Sequence, residues 1–153
     1  MTPVDRVVAE LRAGGVDAVL RRFEEPVPTA AAAAAALGCD VGAVANSLVF
    51  DADGEPLLVL TSGAHRVDTA KVAALVGAGR VRRAPAEFVL AATGQEVGGV
   101  APVGHPAPLR TVVDVDLAAF ARVWAGGGDH STMVGLTYAE LLRVTGGEAA
   151  AVA

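Results

Sequence analysis

Two apolar segments joined by an acidic, glycine-containing turn are the feature that most constrains the fold of this chain. Asn46–Phe50 and Pro56–Leu60 are both rich in large aliphatic residues, and Asp51–Gly54 between them has the composition of a tight hairpin turn. The two runs are continuous rather than alternating, which is typical of strands buried on both faces. The sequence therefore predicts an antiparallel hairpin in the interior of a sheet.

Cap residues and glycines divide the rest of the chain into helices and strands. Thr2 before Pro3 predicts a first helix, and Thr29 before a run of alanines predicts a second one. Other helices are predicted after Asp68, Pro85 and Thr137, and strands at 16–23, 81–83, 111–115, 123–125 and 132–136. This interleaving, together with one hairpin, indicates an α/β chain with a mixed sheet, and we expect one domain over residues 1–153. The tail, 148–153, is expected to fray.

Composition restricts the location and partners of the protein. The chain has 153 residues, of which 53% are hydrophobic and 19% charged, as expected for a globular domain. Charged residues interrupt every apolar run, and the N-terminus lacks a signal-peptide pattern, so we expect a cytoplasmic protein without a membrane partner. The net charge of −5 argues against DNA or RNA binding by bulk electrostatics, but it permits a small site for one end of an RNA.

Common signatures of cofactor and metal sites are absent from the sequence. There is no Walker loop, and the glycines after residue 93 do not have the spacing of a dinucleotide-binding loop, so we expect no cofactor. The three histidines are far apart and Cys39 is the only cysteine, so we expect no metal site. Because consecutive side chains on an extended segment point to opposite faces, Asp129, His130 and Ser131 do not form a catalytic triad. His130 either lines a pocket or lies in a solvated loop.

The segment Gly94–His105 combines four glycines with Pro102 and carries almost no charge. Glycine permits positive φ angles and close approach, so successive N–H groups of such a loop can point into one concavity and bind an anion or a carbonyl oxygen. An ordinary surface turn is the alternative interpretation. Polar residues at the start of a buried strand, Asn46 and Ser47, and the helix cap Thr29 are further candidates for a site, although each is also common in a purely structural role.

Taken together and in order, these segments resemble the YbaK/EbsC family, the editing domains associated with prolyl-tRNA synthetase. The resemblance extends from about residue 20 to residue 146 and is carried by Thr29 with the alanine run to Gly38, Asn46–Phe50, Arg66–Asp68 with Lys71, Thr93-Gly94, Gly98–Pro102, Trp124–Gly127 and Leu141-Leu142. It implies an α/β domain whose mixed sheet curls towards a barrel with helices outside. It also implies hydrolysis of misacylated tRNA, with the 3′ end of an aminoacyl-tRNA as substrate and an aminoacyl-tRNA synthetase as a second candidate partner.

The resemblance also assigns expected roles to individual residues. Backbone N–H groups of the loop would stabilise the charge that develops on the ester carbonyl. The expected catalytic residues are Asn46, Gly98, Gly99, Val100, Ala101 and Pro102. The expected substrate-binding residues are Thr29, Ser47, His65, Arg66, Gly126, Gly127 and His130.

One position departs from the family pattern. Members usually carry a lysine where this chain has Asn46, and an amide brings no charge to a phosphate or ribose. We therefore expect either a trans-acting deacylase that uses other contacts, with Arg66 as a candidate, or a homologue that binds an aminoacyl-adenosine or a partner without hydrolysing it. A third interpretation is an unrelated small-molecule pocket on the same fold, because a fold does not determine function.

Overall fold

A computed structural model describes residues 1–153. The helices are α1 (Pro3–Ala13), α2 (Ala30–Leu37), α3 (Thr69–Val76), α4 (Ala86–Thr93) and α5 (Tyr138–Thr145). The strands are β1 (Val19–Arg22), β2 (Val44–Ala52), β3 (Glu55–Ser62), β4 (Val81–Arg83), β5 (Arg110–Asp114), β6 (Val123–Gly126), β7 (Thr132–Leu136) and β8 (Glu148–Ala150). Short 3-10 helices cover Val41–Ala43 and Val115–Ala119. None of the helices has the length and apolar character needed to cross a membrane.

The predicted helix caps are confirmed. The hydroxyl of Thr2 accepts a hydrogen bond from the N–H of Asp5, whose carboxylate accepts one from the N–H of Thr2 in return. Thr29 and Asp68 cap α2 and α3 through their side chains, and Thr137 caps α5. Because each cap satisfies N–H groups that would otherwise lack partners, the starts of these helices follow from local sequence.

The predicted hairpin is also confirmed, and it forms the centre of the sheet. Strands β2 and β3 are antiparallel, and Ala52 is opposite Glu55, so the connecting turn consists of Asp53 and Gly54 alone. Both turn residues have positive φ angles, +52° and +91°, as a two-residue turn with the twist of a β-hairpin requires. The Asp53 carboxylate accepts hydrogen bonds from the N–H groups of Gly79 and Arg80, which anchors the turn to the segment before β4.

The sheet is mixed, as predicted, and it does not close. Its order is β1-β7-β6-β2-β3-β5-β8, with β4 paired to β2 beside this path. The pairs β2–β6, β3–β5 and β5–β8 are parallel, whereas the other pairs are antiparallel. Alternate residues of β3 enter different hydrophobic clusters: Leu58 and Leu60 pack with α1, α4 and α5, and Leu57 and Val59 pack with α3. The central strand is therefore buried on both faces, as its continuous apolar sequence indicated.

A gap interrupts the sheet along the outer edge of β2, the edge that faces away from β3. On this edge β6 pairs with Val44 and Ala45, and β4 pairs with residues 50–52. Residues 46–49 pair with β3 but have no strand on their other side. In an antiparallel pair, alternate residues direct their N–H and C=O groups away from the partner, so backbone polar groups of β2 point into the gap.

The prediction of a frayed C-terminal tail is wrong. Residues 148–150 form β8, which pairs in parallel with β5, and Val152 is completely buried. The carbonyl of Val152 accepts a hydrogen bond from the N–H of Asp68, and the Nζ of Lys71 donates to the carbonyl of Ala153. The tail is ordered because β5 offers it an unpaired edge, a tertiary interaction that the tail sequence does not encode.

Candidate active site

A pocket of about 310 Å³ lies over the gap in the sheet. Its floor is the β2 segment from Val44 to Phe50. Its walls come from the start of α2, the loop after α4, the ends of β6 and β7, and the connection from β4 to α4. Of the 20 residues that line it, 13 are hydrophobic. Pockets of this size with a few polar groups are the usual form of a small-molecule site.

The pocket brings together several residues that the sequence singled out. Thr29, Asn46, Ser47, Gly98, Val100 and Gly126 all line it, although they come from four separate parts of the chain. Asn46 is exposed, and its side chain forms no hydrogen bond within the protein. The hydroxyl of Thr29 accepts a hydrogen bond from the N–H of Ala32, so this residue combines the cap of α2 with a place in the pocket wall.

Ser47 carries a polar atom that the fold leaves unsatisfied. Its Oγ is buried and has no hydrogen-bond partner. Ser47 lies two residues from Ala45 and from Val49, which belong to the main hydrophobic cluster, so its side chain points to the same inner face of β2. A buried hydroxyl without a partner costs about 1–3 kcal/mol. A polar group of a ligand in this pocket would remove that cost.

The loop after α4 is held from inside by Gln95, which is 1% exposed. Its Oε1 accepts a hydrogen bond of 2.8 Å from the N–H of Ala101, and its Nε2 donates one of 3.2 Å to the carbonyl of Val103. The hydroxyl of Thr93 donates to the carbonyl of Val89 and accepts from the N–H of Gln95, which attaches the loop to the end of α4. These bonds make the loop a rigid element, as a preorganised site requires.

The hydrogen bonds of the loop separate its N–H groups into two sets. The N–H of Gly99 donates to the carbonyl of Glu96 at 2.9 Å, and the N–H of Ala101 donates to Gln95, so neither is free to bind a ligand. The N–H groups of Gly98 and Val100 donate no hydrogen bond within the protein, and both residues line the pocket. The N–H groups of Gly98 and Val100 are therefore available to a ligand on this wall, as is that of Val97, which also lines the pocket and donates no hydrogen bond. Pro102, at the end of this stretch of the loop, is buried and does not line the pocket.

Glycine is required where the loop meets the turn between β6 and β7. A Cβ on Gly126 would lie 2.3 Å from the carbonyl oxygen of Val100, and a Cβ on Gly99 would lie 2.7 Å from the carbonyl carbon of Asp129. Two backbones thus touch without intervening side chains, and this contact sets the position of Val100. Gly127 donates its N–H to the carbonyl of Thr132 inside the turn and does not line the pocket.

Two histidines hold the loop from outside the pocket. The Nε2 of His130 lies 3.0 Å from the carbonyl of Val97, and that of His105 lies 2.9 Å from the carbonyl of Ala101. Because a carbonyl can only accept, Nε2 carries the proton in both bonds. Burial lowers the pKa of His105 below its ordinary value of 6.5, although the bond to Ala101 acts in the opposite direction. Both residues therefore contact the loop from behind.

His65 and Arg66 do not line the pocket. The Nε2 of His65 is 2.5 Å from Oδ2 of the buried Asp114, and its Nδ1 is 3.5 Å from Oδ2 of Asp116. These three side chains form the one cluster in the chain that has the residue types of a metal site. However, the carboxylate of Asp114 also accepts N–H groups from Ser62 and Asp116, and the two aspartates face opposite nitrogens of one ring. This arrangement fits a polar contact that joins the ends of β3 and β5.

Two residues of the site were missed by the sequence analysis. Gln95 was not considered, because a single glutamine in a glycine-rich segment carries no signal of burial. Arg83 lines the pocket from β4, next to the gap. Its place depends on the pairing of β4 with β2, which lies about 30 residues away in sequence and has no local signal.

Comparison with known proteins agrees with this geometry. The sequence profile of the aminoacyl-tRNA editing domain matches residues 24–144. The chain is 32% identical over 120 residues to the uncharacterized protein YwhH of Bacillus subtilis, covering 78% of this chain and 76% of YwhH. It is 35% identical over 116 residues to the proline–tRNA ligase of Bacillus licheniformis, where the match covers 73% of this chain but 20% of the ligase.

Solved structures show the same relationship. A crystal structure described as that of a candidate trans-editing enzyme for prolyl tRNA synthetase superimposes with a TM-score of 0.92 at 37% identity, covering 99% of this chain and 97% of the other. The hypothetical protein APE2540 superimposes with a TM-score of 0.88 at 32% identity, covering 96% of this chain and 98% of the other. The resemblance inferred from the sequence is thus confirmed, and the chain belongs to the aminoacyl-tRNA editing domain family.

Proposed function

We propose that this protein hydrolyses the ester that joins a small, mischarged amino acid to the 3′ end of a tRNA. In this reaction water adds to the ester carbonyl, the carbon–oxygen bond to the ribose breaks, and a free amino acid and a tRNA with a free 3′ hydroxyl are released. The observation that carries the proposal is the pair of unbonded N–H groups of Gly98 and Val100 in the wall of the pocket.

The chemistry of ester hydrolysis explains why these N–H groups matter. Negative charge develops on the carbonyl oxygen in the transition state, and fixed donors stabilise it without having to reorganise. Removal of one such donor typically lowers kcat by about 10²–10³-fold. The anchoring of the loop by Gln95 and by the Gly126 contact supplies the rigidity that this mechanism needs. The volume of about 310 Å³ suits a small acyl group and part of a nucleoside rather than a large side chain.

The pocket favours attack by water over attack by a side chain. Ser47 and Thr29 are the hydroxyl residues of its lining, and neither is hydrogen-bonded to a histidine. The ring nitrogens of the three histidines contact other groups: Asp114 and Asp116, the carbonyl of Ala101, and the carbonyl of Val97 with the carboxylate of Glu96. Cys39 does not line the pocket, and burial raises the pKa of its thiol, which disfavours the reactive thiolate. A hydroxyl nucleophile activated by a base is therefore not part of the proposal.

The alternative function is binding without hydrolysis, and Asn46 is the observation that favours it. This residue stands in the pocket where related proteins usually carry a lysine, and it brings no charge. In that case the protein would hold an aminoacyl-adenosine or a partner protein, such as a synthetase, and would leave the ester intact.

Hydrolysis of tRNA charged with alanine, cysteine or serine tests the proposal. The wild-type protein, Asn46→Lys and the uncharged, longer control Asn46→Gln are compared with the spontaneous rate. We expect the wild type to hydrolyse at least one of the three substrates well above that rate. Activity in Asn46→Lys alone would support the binding alternative, since it would show a competent pocket that lacks one charge. No activity in any of the proteins would contradict the proposal.

A further inference from the structure

Arg83 is the only charged residue among those that line the pocket. It is exposed and lies opposite Phe50 of β2, at the point where β4 ends the gap in the sheet. Its guanidinium forms neither an ion pair nor a hydrogen bond within the protein. The neighbouring Arg82 is different. It does not line the pocket, and its Nη2 forms an ion pair with the carboxylate of Asp51 at 3.5 Å.

The remaining polar groups of the pocket add no negative charge. The lining contains no aspartate and no glutamate, and the free N–H groups of Gly98 and Val100 are hydrogen-bond donors. A cation in the lining of a mostly apolar pocket, together with free N–H donors and without a carboxylate in that lining, favours an anionic ligand over a cationic one. The planar fork of a guanidinium matches the oxygens of a phosphate, to which it can donate two parallel hydrogen bonds.

We propose that Arg83 binds the phosphate on the 5′ side of the terminal nucleotide of the substrate. This inference rests on the proposed function, because it places the 3′ end of a tRNA in the pocket. It also explains how the pocket tolerates Asn46: both residues line the same cavity, so the cavity retains one cation. Arg66, the candidate considered from the sequence, lies outside the pocket lining and does not supply this charge.

The first experiment measures binding and requires no catalysis. Adenosine 5′-monophosphate and adenosine are titrated into the wild-type protein, Arg83→Gln and Arg82→Gln, and dissociation constants are obtained from amide chemical shifts. We expect the wild type to bind adenosine 5′-monophosphate about tenfold more tightly than adenosine. This ratio is towards the lower limit of the gain in affinity from a charge-assisted hydrogen bond, because Arg83 is exposed. This preference should persist in Arg82→Gln and disappear in Arg83→Gln. An equal preference in all three proteins, no preference in the wild type, or no binding of the monophosphate at millimolar concentration would overturn the proposal.

The second experiment separates this inference from the proposed function. Hydrolysis of the misacylated tRNA that the wild type prefers is measured in the same three proteins. For Arg83→Gln we expect KM to rise by about tenfold with kcat unchanged, because a contact made equally in the ground state and the transition state affects binding only. If the nucleotide titrations succeed while no tRNA is hydrolysed, the phosphate site stands and the hydrolase proposal fails. A fall in kcat at unchanged KM would instead assign Arg83 to the transition state and overturn the binding role.

Discussion

Replacement of Gly126 by alanine tests whether the position of the loop controls activity. In the structure a Cβ at this residue would lie 2.3 Å from the carbonyl oxygen of Val100 and 3.1 Å from its carbonyl carbon. The shortest ordinary contact between a carbon and a carbonyl oxygen is about 3.3 Å. One of the two backbones must therefore move by about 1 Å, and because β6 is paired with β7 on one side and β2 on the other, we expect the loop to move.

The expected effect on catalysis is large. A misplacement of about 1 Å in a catalytic geometry can cost about 10²-fold in rate, and loss of one oxyanion donor costs about 10²–10³-fold. We therefore expect the Gly126→Ala variant to lower kcat by about 100-fold. Because the shift acts on the donors rather than on the pocket floor, KM should change much less.

Single-turnover hydrolysis of the preferred misacylated tRNA, with protein in excess, measures this effect directly. Thermal unfolding of the same samples shows whether the variant is folded. Gly14→Ala is a matched control. Gly14 follows the end of α1, outside the pocket, and its Cβ would lie 3.0 Å from Cγ1 of Val144 in α5. We expect this control to lose some stability and to retain the wild-type rate. A folded Gly126→Ala protein with the wild-type rate would refute the role of the loop.

Three further predictions concern the elements that support the site. Gln95→Leu leaves the Ala101 N–H and the Val103 carbonyl buried without partners, so urea unfolding should show a loss of about 2–4 kcal/mol. Because burial lowers the pKa of His105 in the folded protein, the unfolded chain binds a proton at this residue more readily than the folded protein does. The free energy of unfolding is therefore unaffected by this difference above pH 6.5 and decreases as the pH falls below 6.5. Unfolding curves at pH 7 and pH 5 should therefore differ less in His105→Gln than in the wild type. Val152→Ala should lower the free energy of unfolding by about 2 kcal/mol, whereas a frayed tail would leave the free energy of unfolding unchanged.

Local signals in the sequence were sufficient to predict most of the secondary structure. The capping residues of α1, α2, α3 and α5 act within one turn of helix, and the Asp53-Gly54 turn determines the hairpin by its own backbone angles. The strand β8 could not be predicted in this way, because its stability comes from the open edge of β5 and from the burial of Val152.

The candidate site was predictable in outline and not in detail. A glycine-rich loop signals that backbone groups are accessible, but it does not show which N–H groups are free. That distinction depends on Gln95, whose side chain occupies the N–H of Ala101, and on the internal turn that occupies the N–H of Gly99. In the same way, the sequence suggested Arg66 as the cation near the site, whereas strand pairing places Arg83 there.

Under the proposed function, the reaction and the choice of substrate depend on different chemical parts of the chain. The donors proposed for the reaction are backbone atoms of Gly98 and Val100, which belong to the loop after α4 and not to α2. The space available to the amino acid is limited by side chains, among them the small Ala30 and Ala33 of α2. Exchange of these alanines for larger residues would shrink the cavity while the donors stay where they are. If the protein has the proposed function, single substitutions on α2 can change the amino acid that it accepts while the proposed donors remain unchanged.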